Sequence, residues 1–199
     1  VYSNAVWLDS TPDGWQRSRI RNVALLSPQY CSEAPSPGEP CTVVPMELLS
    51  SDGFIDVTRL EPFSDIPSGL TSFEEGDVLF AKITPCMENG KGAFVQELPT
   101  RHAFGSTEFH VLRPTKKIDG KFLYYATFNP VFRAYAAENM VGAAGQKRVS
   151  SRFLKDTRLF LPSLSEQMLI AAYLDASCKS IDAAVAAKLK QLDTLDALC

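Results

Sequence analysis

A chain of 199 residues is long enough to bury a real hydrophobic core, and one domain with an appendage is the expected organisation. Its 45% hydrophobic and 22% charged residues exclude a disordered or fibrous chain, and no apolar run reaches the ~18 residues that a membrane span needs. The formal net charge of -3 argues against a uniformly basic nucleic-acid binder, yet it averages a division: residues 1–75 carry 4 basic and 11 acidic side chains, 76–160 carry 13 and 7, and 161–199 carry 3 and 5. Only the middle segment has a surplus of positive charge that can serve as an electrostatic footprint for phosphates. The opening VYSNAVWLDS lacks the charged and apolar regions of a signal peptide, so a cytoplasmic setting is expected. Cys31, Cys41, Cys86, Cys178 and Cys199 are odd in number and contain no C-x-x-C pair, which predicts reduced thiols rather than a disulfide framework or a zinc knuckle.

In chain order, the first third is punctuated by Pro12, Gly14, Pro28, Pro35, Pro37, Gly38 and Pro40, the texture of loops between short strands. Val23 to Leu26 and Cys41 to Val44 are the candidate strands there, separated by a turn-rich excursion from Glu33 to Pro40. Gly76-Asp77 predicts a turn, Val78 to Ile83 a buried strand and Pro85 its stop. After the turn Glu88-Asn89-Gly90-Lys91-Gly92, Ala93 to Gln96 returns as a strand, giving a hairpin whose tip carries Asn89 and Lys91. Thr107 to Leu112 alternates with the period of two of a strand, placed centrally and ended by Pro114.

Phe122 to Tyr135 is rich in aromatics at helical spacing and interrupted by Pro130, which predicts helix, break, helix. Gly142-Ala143-Ala144-Gly145-Gln146-Lys147-Arg148 is a glycine-bounded loop that presents an amide and two cations in succession. Beyond Pro162, Ser163 and Glu166 have the spacing of a capping box. Leu174, Cys178, Ile181, Val185, Leu192, Leu195 and Cys199 then follow in steps of four and three that miss at Lys188, a heptad seam. About 35 residues of helix extend roughly 50 Å, more than a domain of this size covers with its own surface, so the seam is expected to seek a partner helix. The alternative is a single amphipathic helix folded back on the domain.

Three segments now stand in fixed order: Gly76-Asp77-Val78-Leu79-Phe80-Ala81-Lys82-Ile83-Thr84-Pro85, Ser106-Thr107-Glu108-Phe109-His110-Val111-Leu112-Arg113-Pro114, and Leu161-Pro162-Ser163-Leu164-Ser165-Glu166-Gln167. With Pro12-Asp13-Gly14-Trp15, Phe122-Leu123-Tyr124-Tyr125, Gly145-Gln146-Lys147 and Ile170-Ala171-Ala172-Tyr173-Leu174-Asp175, the sequence resembles the specificity subunits of Type I restriction-modification systems over nearly its whole length. Ser163 stands where that family often has a second proline, a departure that leaves the helix expected, because serine is a better N-cap than proline. The resemblance implies an α+β fold: a mixed, strand-rich target-recognition domain over 1–161, followed by a long C-terminal helix of coiled-coil type, a spacer over 162–199. It implies double-stranded DNA as ligand, and a modification (methyltransferase) subunit and a restriction subunit as partners. The chain would be either a half-subunit that forms a homodimer through its helix or one half of a longer subunit cut after Cys199.

Base reading needs donors and acceptors on a rigid frame, with cations to hold phosphates. The leading candidates are Gln146, able to bond adenine in paired fashion, Lys147, and Arg148, suited to guanine or phosphate. Asn89, Lys91, Lys82, Thr84, Thr107 and His110 form a second tier, each equally readable as a solvated or structural side chain. No catalytic residue, metal or cofactor is expected. Asn129-Pro130-Val131-Phe132 resembles the N-P-P-Y/F motif of adenine methyltransferases but fails at its second proline, and no glycine-rich turn for S-adenosylmethionine accompanies it. A cysteine hydrolase built on Cys86 with His102 or His110 lacks any context that activates a thiol. The competing reading is a non-enzymatic coiled-coil interaction module without specific DNA binding, which salt-dependent binding to DNA separates from the first.

Overall fold

The computed structural model describes residues 12–28, 34–143 and 145–196. Among these, β1 (Gln16–Arg19) pairs antiparallel with β10 (Arg158–Leu161), the last strand before the long helix. A four-stranded antiparallel sheet has the order β2 (Ala24–Leu26), β9 (Phe109–Pro114), β6 (Val78–Ala81), β7 (Gly92–Phe94). A second four-stranded sheet has the order β4 (Leu60–Pro62), β3 (Pro40–Val44), β8 (Ala103–Gly105), β5 (Thr71–Phe73), in which β3 and β8 run parallel. The helices are α1 (Gly120–Phe128), α2 (Pro130–Glu138), α3 (Ser151–Asp156) and α4 (Leu164–Asp196). The fold is thus α+β, strand-rich, with a long C-terminal helix.

β6 and β9 lie between two apolar clusters, and the pleat deals their residues alternately to each. Val78, Phe80 and Leu112 join Phe122, Leu123, Phe132 and Leu154 on the helical side. Leu79, Phe109 and Val111 meet Val44, Phe73 and Ala103 from the second sheet. The period of two expected for Thr107 to Leu112 is therefore present, but it separates two buried faces rather than core from solvent. β9 begins only at Phe109, because Ser106 to Glu108 form a turn closed by Phe109 N–H on the Ser106 carbonyl at 3.0 Å. β6 likewise ends at Ala81, two residues short of the expected Ile83.

Asp77 and Arg113, from the first and second segments of the family resemblance, meet in a bidentate ion pair. Arg113 Nε and Nη2 donate to the two Asp77 oxygens at 2.8 Å each, with Asp77 buried. This paired geometry clamps the start of β6 to the end of β9. Helix, break, helix is observed as expected. Asp119 caps α1 by accepting from Phe122 N–H at 2.8 Å, and Asn129 caps α2 by accepting from Val131 N–H at 2.8 Å, with Pro130 as its first residue.

Ser163 accepts from Glu166 N–H at 3.3 Å, so the expected N-cap forms, but Glu166 does not complete the box. Its carboxylate instead accepts the indole N–H of Trp15 at 3.1 Å, tying the N-terminal segment to the helix start. Buried Gln167 accepts from Asp119 N–H at 2.8 Å and donates to the Pro162 carbonyl at 2.9 Å. One turn and more further on, Asp175 accepts from Lys121 and, at 2.7 Å, from the Tyr125 hydroxyl. The first part of α4 is thereby stitched to α1. Lys179 to Thr194, by contrast, are exposed without exception, in a helix roughly 50 Å long.

Of the seam, Leu174 is half-buried against the domain, while Cys178, Ile181, Val185 and Leu192 are exposed, as is Leu189 beside the gap at Lys188. The side chain of Leu195, and the whole of Cys199 and Cys31, lie outside the described residues. No described helix is long and apolar enough to cross a membrane.

Candidate nucleic-acid interface

Where β6 ends, the chain does not turn back at once. Lys82 N–H donates to the Glu108 carbonyl at 2.9 Å, Val149 N–H to the Lys82 carbonyl at 2.8 Å, and Thr84 N–H to the Lys147 carbonyl at 3.0 Å. Val141 and Arg148 exchange both backbone bonds at 3.0 and 2.8 Å, and Arg148 also faces Ile83 across an antiparallel bridge. The glycine-bounded loop is thus zipped onto the strand exit and continues the sheet by one ragged strip. Gly142 makes the reversal possible: its φ is +131°, and a Cβ there would sit 2.7 Å from the Gln146 carbonyl oxygen.

The two cations of the loop then diverge. Arg148 donates through Nε and Nη2 to both oxygens of Glu108 at 2.7 to 3.1 Å, and through Nη1 to the Gln146 carbonyl at 3.0 Å. The hydrogen bond from Arg148 holds the Glu108 carboxyl below its ordinary range despite partial burial. Arg148, expected as a base or phosphate contact, therefore has its fork committed to closing the loop. Gln146 and Lys147 are exposed, and no side-chain partner for either is found among the described residues. Lys82 and Thr84 are half-buried at the foot of the loop, Thr84 with its hydroxyl 3.8 Å from the Met140 sulfur. Thr107 is exposed in the turn before β9.

Three second-tier residues stand in surroundings other than those expected. His110 is buried, with Nε2 2.8 Å from the Val149 carbonyl oxygen, and burial pushes its pKa down to about 4. A neutral imidazole donating to that carbonyl is a strut under the loop, not a group facing a ligand. Asn89 and Lys91 are not at the tip of a tight hairpin, because residues 82–91 coil into helical turns, with Met87 N–H on the Ile83 carbonyl and Asn89 N–H on the Pro85 carbonyl, both at 2.9 Å. Asn89 is exposed on that coil, whereas Lys91 is half-buried and its ammonium donates to the Met46 carbonyl at 2.9 Å.

What holds the coil is Arg133, a residue of the aromatic-rich stretch Phe122 to Tyr135. Its buried guanidinium donates to the carbonyls of Thr127 at 2.9 Å, Met87 at 3.1 Å and Lys91 at 3.3 Å, and lies 4.3 Å over the Phe80 ring. Burial lowers its pKa to about 10, so it remains charged at neutral pH. Nothing in the local sequence distinguishes this arginine from a solvated one; its hydrogen bonds go to backbone carbonyls, two of them more than 40 residues away. Glu108 was within a quoted segment, but its pairing with Arg148 depends on a strand register that spacing does not reveal.

Cys86 has neither histidine as a partner: His110 is engaged as above and His102 Nε2 lies 3.4 Å from Glu39. No cluster of potential metal ligands occurs among the described residues.

The family model described as the Type I restriction modification DNA specificity domain matches residues 68–193, which include both the loop and most of α4. The chain is 34% identical over 159 residues to the Type I restriction enzyme EcoAI specificity subunit of Escherichia coli, a match covering 78% of this chain and 26% of that protein. It is 30% identical over 162 residues to the EcoEI specificity subunit of the same organism, covering 80% and 27%. Its fold resembles the HsdS subunit from Thermoanaerobacter tengcongensis with a TM-score of 0.70, at 20% identity over 88% of this chain and 45% of that one. A chain from a type I R-M system structure aligns with a TM-score of 0.59, at 21% identity over 92% and 44%. The chain therefore spans about a quarter of the curated relatives and under half of these solved ones. By the extent of the family match and its identity to these relatives, the chain belongs to the Type I restriction modification DNA specificity domain family.

Proposed function

We propose that this chain is a DNA target-recognition unit, residues 1–161, with a helical spacer over 162–199, and that it directs adenine methylation and cleavage carried out by partner subunits rather than catalysing either. The observation that carries the reading is the loop anchored on the exit of β6: Gln146 and Lys147 are exposed on a frame fixed by backbone bonds to Lys82 and Thr84 and by the Arg148–Glu108 pair. A rigid amide beside a cation is the combination that reads a base edge while holding the neighbouring phosphate.

Its partners, on this reading, are a modification subunit and a restriction subunit. The exposed stretch of α4 supports pairing with a second helix, either from another copy or from the remainder of a longer chain, because a helix buries an apolar stripe only against another element. The test is reconstitution with the modification subunit. The isolated chain should bind duplex DNA weakly and in a salt-sensitive way, and the complex should bind and methylate one sequence preferentially. Failure of the complex to discriminate among sequences refutes the assignment and leaves the interaction-module reading.

A further inference from the structure

The two-stranded ribbon of β1 and β10 carries a charge pattern that folding alone does not explain. Arg19 lies directly opposite Arg158 in the antiparallel register, so both side chains leave the same face, and like charges in that position are destabilising. Arg17 shares that face, 5.8 Å over the Phe160 ring. One carboxylate, Asp156, serves both Arg19 at 3.3 Å and Arg21 at 2.6 Å. Arg158 is exposed, and among the described residues no carboxylate pairs with it, with Lys116 or with Lys117.

These cations border two adjoining grooves. One, of about 790 Å³, is lined by Arg17, Lys116 and Lys117, and the other, of about 350 Å³, by Arg17, Arg19 and Arg158. The grooves share Arg17, Ser18 and Asn22, and among the described residues neither is lined by an aspartate or glutamate. Short α3 links this ribbon to the recognition loop, a distance of about 9 Å along its axis. Arg152 and Lys155 lie on one exposed face of α3, and Lys155, like Lys82, is near enough to His110 to disfavour its protonation. Lys147, Arg152, Lys155 and Arg158 therefore follow one another along the chain from the loop to the grooves, and the one carboxylate among them, Asp156, is taken up by Arg19 and Arg21.

We infer that this track is a second, sequence-independent nucleic-acid surface, on which the grooves beside β1 and β10 hold backbone phosphates flanking the bases read by the loop. The inference rests on the DNA-recognition reading above. The run of cations between loop and ribbon, across one six-residue helix, favours a polyanion long enough to cover both, over an acidic protein docked on the ribbon alone. Guanidinium forks suit phosphate oxygens, and phosphate contacts fix register without reading sequence.

The test uses the whole chain and a duplex of arbitrary sequence, with affinity measured from about 50 to about 200 mM salt. The variant K116Q/K117Q/R158Q touches no ion pair and should keep its melting temperature, yet reduce the slope of log affinity against log salt by about 2 to 3, since each phosphate contact contributes about 0.9. The loop variant Q146A/K147A should lower that slope by no more than about one. An unchanged slope in the triple variant, with binding by the unaltered chain intact, overturns the ribbon surface and leaves the loop reading standing. An unchanged slope together with lost association with the modification subunit assigns the ribbon to a protein instead. Absence of binding by the unaltered chain, alone and with that subunit, overturns both.

Discussion

Replacing His110 by glutamine tests whether the loop rests on a neutral, buried imidazole. The amide can still donate to the Val149 carbonyl that Nε2 now meets at 2.8 Å, but it cannot titrate. In the unfolded chain the imidazole takes up its proton near pH 6.5, whereas burial delays protonation in the folded chain to about pH 4. Between those values the unfolded state binds more protons, so stability is fully present above pH 6.5 and is lost as pH falls toward 4. At about 1.4 kcal/mol per pH unit, the loss comes to ~3 kcal/mol, and the group is too deeply buried for solvent screening to reduce it much. Urea unfolding of both proteins from pH 7 to pH 4 isolates this contribution, because the carboxylates that titrate in the same window are common to both. H110Q should gain ~3 kcal/mol relative to the unaltered protein across that range. A stability difference independent of pH, or a His110 C2 proton that titrates near the free-imidazole value in NMR, would refute the reasoning.

Arg133→Met should lower stability by ~3 kcal/mol, or roughly 6–12 °C in Tm, because it strands buried carbonyls of Met87, Lys91 and Thr127. Hydrogen exchange should show the amides of Met87 to Lys91 losing protection before the rest of the sheet. Gly142→Ala should displace the loop, since its φ is +131° and the new methyl meets backbone, so sequence discrimination should fall more than total DNA affinity in a competition assay. Glu108→Gln weakens the hold on Arg148 and should accelerate amide exchange at Val141 and Arg148, with little change in Tm. Ile181→Asp with Val185→Asp places charge on an exposed stretch of α4 and should abolish helix-mediated association in sedimentation while leaving the domain's melting unchanged.

Local chemistry made some of this architecture legible in advance. Pro130 after Asn129, and Ser163 before the apolar run of α4, announced helix ends because capping involves residues two or three apart. The period of two in Phe109 to Leu112 announced a strand, but not that both of its faces are covered, since coverage depends on a second sheet and on helices far away in sequence. The site divided along the same line. Gln146 and Lys147 stand out by residue type and flanking glycines, and the structure leaves both exposed. Arg148, Lys91 and His110 drew attention for the same chemical reasons, yet their donors go to Glu108, to the Met46 carbonyl and to the Val149 carbonyl, partners between 39 and 45 residues away. Arg133 is the converse case, because a cation whose hydrogen bonds all go to carbonyls leaves no signature in side-chain pattern. On the ribbon, the opposition of Arg19 and Arg158 exists only once the register of β1 and β10 is known.

The central claim is that this chain, through Gln146 and its neighbours, decides which DNA sequence is modified. It is tested most directly by mapping methylated adenines across the genome of cells carrying the intact gene, cells lacking it, and cells carrying Q146A/K147A/R148A. The account predicts one recurrent split sequence methylated only when the intact gene is present, and a lost or altered sequence with the loop variant. The same methylated sites in all three would contradict it.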